Sequence, residues 1–579
     1  MSRGDRADLQ ATKPMQRCSR LLWAIGLMST GVKAESGWPP PPPPPPSQLP
    51  TALGAIGNHA RDQCASWLLG RNPARWCDVS PNLSYVVVPA SERPLPVALN
   101  SELELLLVTM DAHSRMHCTT GGASFSVGLI GPALLPGKVI DLSNGSYAIH
   151  VPWTGLTPGN YSLSLLLEFN GFEGSTRCDC GRYELGQTRR IIMRPVGQQP
   201  VRIQLRKLPG APPLRGDCTG YWTVSKGRRA PSTRCEDFSY RRQSTLVPLT
   251  TSVSYSWLMY QRECLFNDLG ALAMAFAGRW IHFVGKSTME TSFDAFANSL
   301  GAAMQHLEGG KTNVRRLVVP GSDSDKWMDD QHPCASNSQR KQIIWWPSTN
   351  TLLTSLCHDV PRGLSFNLKD HFKCLHHVVS RNQSEFESRA LNTARQEAGP
   401  DSLVYNRGLH VTATFNNRAA AERFYAEELH VMSAFAALER NGTLLIWKST
   451  PSTHFEPGVL NPAWMCRTTE RIGCINAIAQ GALASSGARW RVADMHSLAF
   501  LRPDCQPDNR HNRCGNCGHA FADVLFGMMA KDMRPRTPDL GPQSQFNSSS
   551  ATHTVVPDSE AVDSTPQSLD WSPEHGEPR

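Results

Sequence analysis

Ser287 lies in the tract Phe283-Val-Gly-Lys-Ser-Thr-Met-Glu290, between the apolar run Trp280 to Val284 and an apolar periodicity at Phe293, Phe296, Leu300, Met304 and Leu307. The run reads as a strand and the periodicity as a helix, so the serine falls on a strand-to-helix turn. A hydroxyl exposed there, beside the amides of a helix N-terminus, suits nucleophilic attack with the amides holding a developing oxyanion. Gly285-Lys-Ser287 does not read as a phosphate-binding loop, because that motif needs a glycine where this chain has Trp280. A serine also caps many helices without any chemistry. The turn therefore reads as a site only if partners exist elsewhere in the chain.

A base is offered by Asp508-Asn-Arg-His511, which follows Arg502-Pro-Asp504 near the end of the folded region. An Asp at that spacing orients one imidazole nitrogen while the other faces a serine. His519, in Cys514-Gly-Asn-Cys517-Gly-His519, is the alternative base. Its orienting residue would be Asn516, a weaker partner than a carboxylate, so His511 with Asp508 is preferred. The same stretch, His511-x-x-Cys514-x-x-Cys517-x-His519, has zinc-ligand spacing. Nearby Cys505 and an oxidising compartment favour disulfides instead, and neither a metal nor a cofactor is assigned. Asn406-Arg-Gly408-Leu-His410 follows a middle strand. Gly408 there either needs a positive φ or contributes to an oxyanion site, and His410 reads as a strand-end or core histidine.

These residues need a scaffold, and the pattern supplies one. Strands are expected at Ile281 to Val284, Val314 to Val319, Ile343 to Trp346, Leu403 to Tyr405, Leu444 to Trp447 and Trp490 to Val492. Helices are expected over 288–307, 419–440 and 470–485, which makes the sheet mostly parallel. Before them, between about Leu95 and Arg194, short alternating strands such as Glu102 to Val108 and Tyr161 to Leu167 read as a β-sandwich. Asn144-Gly145 and Pro158-Gly159-Asn160 supply its turns. The stretch from Asn144 through Tyr161 resembles the immunoglobulin-like filamin-type repeat, which implies a spacer or binding module.

The chain has 579 residues, enough for two or three domains. Its formal charge of +8 is spread without a Lys/Arg-rich run, so no nucleic-acid partner is expected. Lys13, Arg17 and Arg20, the apolar run Leu21 to Val32 and Lys33-Ala34 read as a secretory signal peptide or an uncleaved anchor over 1–34. No later segment is long enough to span a bilayer. Of the 17 cysteines, Cys18 lies in that leader, leaving an even number for disulfides. Sequons at Asn82, Asn144, Asn160, Asn382, Asn441 and Asn547 fit glycosylation in a secretory lumen. Pro39 to Pro46 form a polyproline spacer, and beyond about Lys531 the composition is that of a disordered tail.

The residues Cys218-x-Gly-x-Trp222, Phe-Val-Gly-x-Ser-Thr-Met, Asn406-x-Gly-x-His410, Asp494, Arg502-Pro-Asp504 and Asp508-x-x-His511 resemble the neurexophilin and PC-esterase (NXPE) family. That family is related to the trichome-birefringence-like, SGNH-type acyl-esterases. The resemblance implies a multidomain chain: a leader (1–34), a Pro-rich linker (35–52), an all-β immunoglobulin-like filamin-type sandwich (53–194), a linker (195–216), an α/β SGNH-like esterase domain with a mostly parallel sheet (217–532) and a tail (533–579). It implies an esterase or O-acetyltransferase acting on glycan or polysaccharide esters in the Golgi lumen or after secretion. Ser287 would be the nucleophile, His511 with Asp508 would complete the triad, and Gly285, Asn406 and Gly408 would shape the oxyanion site. Thr450 falls where such enzymes place a further oxyanion donor. The alternative is a catalytically silent glycoprotein that binds a glycan or a protein partner through the sandwich. One departure supports it: the family tract reads Gly-Asp-Ser-Thr-Met-Arg, whereas this chain has Lys286 and Glu290. The two charges are exchanged, which suggests a reversed pair, so Lys286→Asp alone is expected to disturb the turn more than Lys286→Asp with Glu290→Arg.

Overall fold

The computed structural model describes residues 79–87, 95–98, 102–110, 123–142, 145–152, 158–170, 191–197, 201–206, 220–224, 255–259, 268–309, 314–319, 341–357, 399–409, 418–453, 469–500 and 517–533, with positions 264, 266, 411, 502 and 505. All belong to one compact unit, Met1–Arg536; the second unit, Thr537–Arg579, lies outside them. The expected leader, the polyproline spacer and nearly all of the tail also lie outside the described residues. Among those described, no helix is long and apolar enough to cross a membrane.

The first half is built from β1 (Tyr85–Val87), β2 (Leu95–Ala98), β3 (Glu102–Val108), β4 (Ala123–Ile130), β5 (Ala133–Pro136), β6 (Lys138–Asp141), β7 (Ser146–Pro152), β8 (Gly159–Asn170), β9 (Ile191–Pro195), β10 (Arg202–Arg206), β11 (Gly220–Val224) and β12 (Tyr255–Met259). Among the described residues they form a sheet β1-β3-β7-β6 and a second sheet β12-β11-β5-β4-β8-β10-β2, with β9 on β8. Alternate side chains of these strands supply a shared core. Leu103, Leu105 and Leu107 of β3 meet Phe125, Val127 and Leu129 of β4 and Tyr161, Leu163, Leu165 and Leu167 of β8 in one core between the sheets.

The expected linker 195–216 is corrected in part. Its residues Arg202–Arg206 form β10, antiparallel to β8 and parallel to β2, with Ile203 and Leu205 in the sandwich core. Strands β11 and β12 depart from the expected boundary too, because β11 pairs with β5 and extends the sandwich sheet.

The second half has β13 (Trp280–Gly285), β14 (Arg315–Val319), β15 (Lys341–Trp346), β16 (Thr351–Cys357), β17 (Ser402–Tyr405), β18 (Leu444–Lys448) and β19 (Arg491–Ala493). Its helices are α1 (Leu269–Phe276), α2 (Ser287–Leu307), α3 (Arg418–Arg440), α4 (Thr469–Ser485), α5 (Met495–Phe500) and α6 (Cys517–Asp532). The strand order is β14-β15-β16-β13-β17-β18-β19, parallel from β16 to β19, with β14 and β15 antiparallel at one edge. Alternate residues of the central strands face opposite ways, so two helical layers are needed to cover them. Ile281, Phe283, Val404 and Ile446 pack on one side with Phe276, Phe293, Phe296 and Phe526 of α1, α2 and α6. Val284, Leu403, Tyr405, Leu445 and Trp447 pack on the other with Phe435 and Ile475 of α3 and α4.

The order also fixes where a site can form. After β13 the chain passes to β16 on one side and then returns to β17 on the other. In an open parallel sheet such a reversal, here at the carboxyl ends of β13 and β17, is the usual ligand position.

The two halves meet at Trp222, 2% exposed, on β11. Its indole Nε1–H donates to the Leu498 carbonyl of α5 at 2.8 Å, and the Arg502 guanidinium stacks 4.0 Å from the ring centroid. Two tracts that carried the family resemblance, around Trp222 and Arg502, are therefore in contact.

Candidate active site at the carboxyl edge of the parallel sheet

Gly285 ends β13, Lys286 is the N-cap of α2 in an extended conformation, and Ser287 is the first helical residue. The backbone of Ser287 is described; its side chain lies outside the described positions. Gly285 has to be glycine because a Cβ there would lie 2.7 Å from the Asn406 carbonyl oxygen and 2.8 Å from Met289 Cβ. The close approach of β13 and β17 at their ends leaves room for hydrogen alone.

Asn406, 2% exposed, occupies the centre of this edge. Its Nδ2 donates to the Lys448 carbonyl at 2.6 Å and to Thr450 Oγ1 at 3.3 Å, while Oδ1 accepts from Thr288 Oγ1 at 3.4 Å. The carboxamide thus joins the first turn of α2 to the end of β18. Both amide hydrogens are engaged internally, so the side chain shapes the site and does not serve as an oxyanion donor. Thr450 is likewise engaged: its N–H donates to Asn476 Oδ1 at 2.8 Å and its carbonyl accepts from Asn476 Nδ2 at 2.9 Å.

Gly408 does not lie in the left-handed region, which corrects the reading of it as a positive-φ turn residue. It is glycine because of crowding: a Cβ would fall 1.7 Å from Thr450 Oγ1. The structure therefore brings Gly285, Asn406, Gly408 and Thr450 together beside the Ser287 turn.

Between Asn406 and Gly408, the Arg407 guanidinium donates to Glu428 Oε2 at 2.8 Å and lies 5.2 Å from the Phe424 ring centroid. The Tyr405 hydroxyl donates to the other Glu428 oxygen, and Tyr425 donates to the Arg407 carbonyl at 2.7 Å. Burial, reinforced by the Glu428 charge, holds both phenols well above the usual tyrosine range, so they act as neutral donors. This network anchors the loop to α3.

Lys448 was not singled out in the sequence. It is 1% exposed, donates from Nζ to the Thr288 carbonyl at 2.7 Å and lies 5.5 Å from the Phe521 ring centroid. Burial lowers its pKa to about 7. Sequence gave only the sign of a strand-end lysine, which ordinarily extends to water.

The histidines separate. His282 on β13 is buried and neutral, its pKa lowered to about 3 by burial, with Nδ1 2.7 Å from Thr354 Oγ1. His519 is exposed on α6, with Nδ1 3.1 Å from Ser299 Oγ. Ser299 lies on α2 about 18 Å along the helix axis from Ser287 at the usual rise per residue. The structure does not bring His519 to the candidate nucleophile. Asp508, His511, His410 and Asp504 lie outside the described residues. The loop carrying Asp508 and His511 is closed by a disulfide between Cys505 and Cys517, both fully buried in the core that holds α2. That bond occupies the Cys517 sulfur, removing one ligand from the zinc spacing. Asp494 caps α5, accepting from the Ser497 N–H at 3.1 Å and from the Ser449 hydroxyl at 3.2 Å. The sequon residues Asn82, Asn160 and Asn441 are exposed, while Asn144, Asn382 and Asn547 lie outside the described residues.

No family model matches the chain. No curated protein matches it. Among solved structures, the Lin-41 filamin domain aligns at 12% identity over 22% of this chain and 97% of that chain, with a TM-score of 0.16. At that TM-score the alignment adds nothing to the fold described above.

Three outcomes are expected. Gly408→Ala should destabilise the protein by about 1–3 kcal/mol through overpacking, and Thr450→Ala in the same chain should recover part of the loss in denaturant titrations. An unfolded lysine keeps its proton to about 10.5 whereas folded Lys448 releases it near 7, so unfolding takes up a proton between these values. Stability should then rise with pH across that window by about 1.4 kcal/mol per unit relative to Lys448→Met, and below it the two should run parallel. Lys286 gives its helix no side-chain cap. An Asp there supplies one worth about 1 kcal/mol. Lys286→Asp should therefore raise the melting temperature, the opposite sign from the charge-pair expectation.

Proposed function

We propose that the chain is a secretory-pathway, SGNH-type esterase or O-acetyltransferase of the NXPE kind, acting on ester groups of glycans or polysaccharides. The observation that carries the reading is the convergence of Gly285, Thr288, Asn406, Gly408 and Thr450 around the turn of Ser287, at the reversal point of a parallel sheet. Such an edge is where an α/β fold gathers residues from several strands for catalysis.

In this reading the Ser287 oxygen attacks the acyl carbonyl and its proton passes to His511, oriented by Asp508. The tetrahedral oxyanion is met by the N–H groups of Ser287 and Thr288, the first two residues of α2. The sugar alcohol leaves with the proton from His511, leaving an acyl-serine. Water or a second sugar hydroxyl then gives its proton to His511 and takes the acyl group, and His511 returns that proton to the Ser287 oxygen, so esterase and transferase differ only in the acceptor.

A second reading is a silent glycoprotein that binds a glycan or protein partner through the sandwich. It is favoured by the internal engagement of the Asn406 amide and the Thr450 N–H, which leaves neither to stabilise an oxyanion.

Incubating the full chain with an activated acetyl ester should give an acetyl adduct on the peptide containing Ser287, absent from Ser287→Ala. His511→Ala should slow adduct formation by about 10²–10⁴-fold, while His519→Ala should leave it unchanged. Folded protein with neither adduct nor turnover would favour the silent reading.

A further inference from the structure

Glu168 projects from β8 of the sandwich into the α/β half, where it is 1% exposed. Its Oε1 accepts from the Thr469 hydroxyl at 2.9 Å and its Oε2 from the Thr469 N–H at 3.3 Å. Thr469 is the first residue of α4, so a sandwich carboxylate caps a helix of the other half. The same Thr469 oxygen lies 3.2 Å from the Thr453 carbonyl. Thr453 ends the buried segment Ser449 to Thr453, whose Thr450 is clasped by Asn476 of the same helix and packs against Gly408.

A hydroxyl has one proton, and here two acceptors compete for it. When Glu168 is ionised, the proton is drawn to the charged oxygen at the shorter distance, and the Thr453 carbonyl loses this donor. When Glu168 is protonated, its own O–H donates to the Thr469 oxygen, which frees the threonine proton for Thr453. We propose that Glu168 is a positioning residue whose protonation reverses the Thr469 hydrogen bond and so tightens the Ser449 to Thr453 segment onto α4.

The groups around the carboxylate fit this role. From β4 the hydroxyls of Ser124 and Ser126 face it, and from α4 the Thr469 hydroxyl and N–H, with the charged Glu470 and buried Arg471 next in sequence. Burial outweighs these hydrogen bonds and raises the Glu168 pKa to about 7. The reversal therefore falls near neutrality. Its bearing on catalysis rests on the acyl-transfer reading, whereas the hydrogen-bond relay does not.

Deuterium uptake by peptides covering 449–453 in the full chain, corrected for intrinsic exchange and followed between about pH 5.5 and 8.5, tests the relay. In the wild type, protection should fall about three- to tenfold as pH rises through the Glu168 titration, the worth of one hydrogen bond. Glu168→Gln, whose amide donates at every pH, should hold the acid-side protection throughout. Thr469→Val should show the weaker protection throughout. A flat wild-type profile, or a wild-type step surviving in Glu168→Gln, overturns the proposal. Should Glu168→Gln not fold, a step of wild-type size in Thr469→Val overturns it equally. Because uptake is read without acyl transfer, failure of the relay is distinct from failure of the proposed reaction.

Discussion

The buried Asn406 carboxamide is the constraint on which the carboxyl edge of the sheet depends. Parallel pairing sets Val284, Tyr405 and Trp447 level on β13, β17 and β18, so the three strands end side by side. Level ends leave backbone groups that no longer find ladder partners, and buried groups of that kind cost about 1–3 kcal/mol each if unmet. Asn406 meets the Lys448 carbonyl and reaches Thr450 and Thr288 with the remainder of its hydrogen-bonding capacity. Drawing three segments onto one amide brings position 285 against the Asn406 backbone and position 408 against the Thr450 side chain, so each is crowded for any residue larger than glycine.

The same compactness accounts for Lys448. Lys448 continues the alternation of β18 that sends Ile446 to the α2 side, so its side chain runs inward beneath α2. Its ammonium finds one carbonyl and one aromatic face, too little to hold a charge in a dry interior. A proton released near neutrality follows from that shortage of partners. The lysine is thus a consequence of how the edge closes and also a support for the turn that carries Ser287.

Much of this scaffold was legible because its patterns are local. The apolar runs of β13, β17 and β18 and the apolar stripes of α2 and α3 each announce one element. Strand β16 was missed because it interrupts its apolar run with Thr354 and Ser355, and Thr354 is buried to bond Trp280 and His282 across the sheet. Helix α6 was missed for the opposite reason: almost every residue from Ala520 to Met529 is buried, so no polar stripe marks its period. At the site, Asn406 and Gly408 stood out through their motif, but the reason for each did not. Gly408 answers to Thr450, which follows β18, and no spacing along the chain encodes a contact between the segments that leave β17 and β18. Asn476, Glu428 and Lys448 escaped notice for the same reason, as isolated polar residues within otherwise ordinary helices or at a strand end.

The boundary between the halves was the least legible feature, and its physics bears on how the protein works. On β5, Leu134 packs into the α/β core while its neighbours Ala133 and Leu135 pack into the sandwich core. One strand thus serves two cores through its two faces. Strand β11 pairs with it and sends Trp222 into the α/β side, where the indole meets α5. Glu168 does the same with a charge, ending α4 from the sandwich. Removing the sandwich would strip the apolar cover from Trp222 and take from the Thr469 N–H of α4 its Glu168 acceptor. The sandwich is therefore part of the scaffold that holds Thr450 and Gly408 in place.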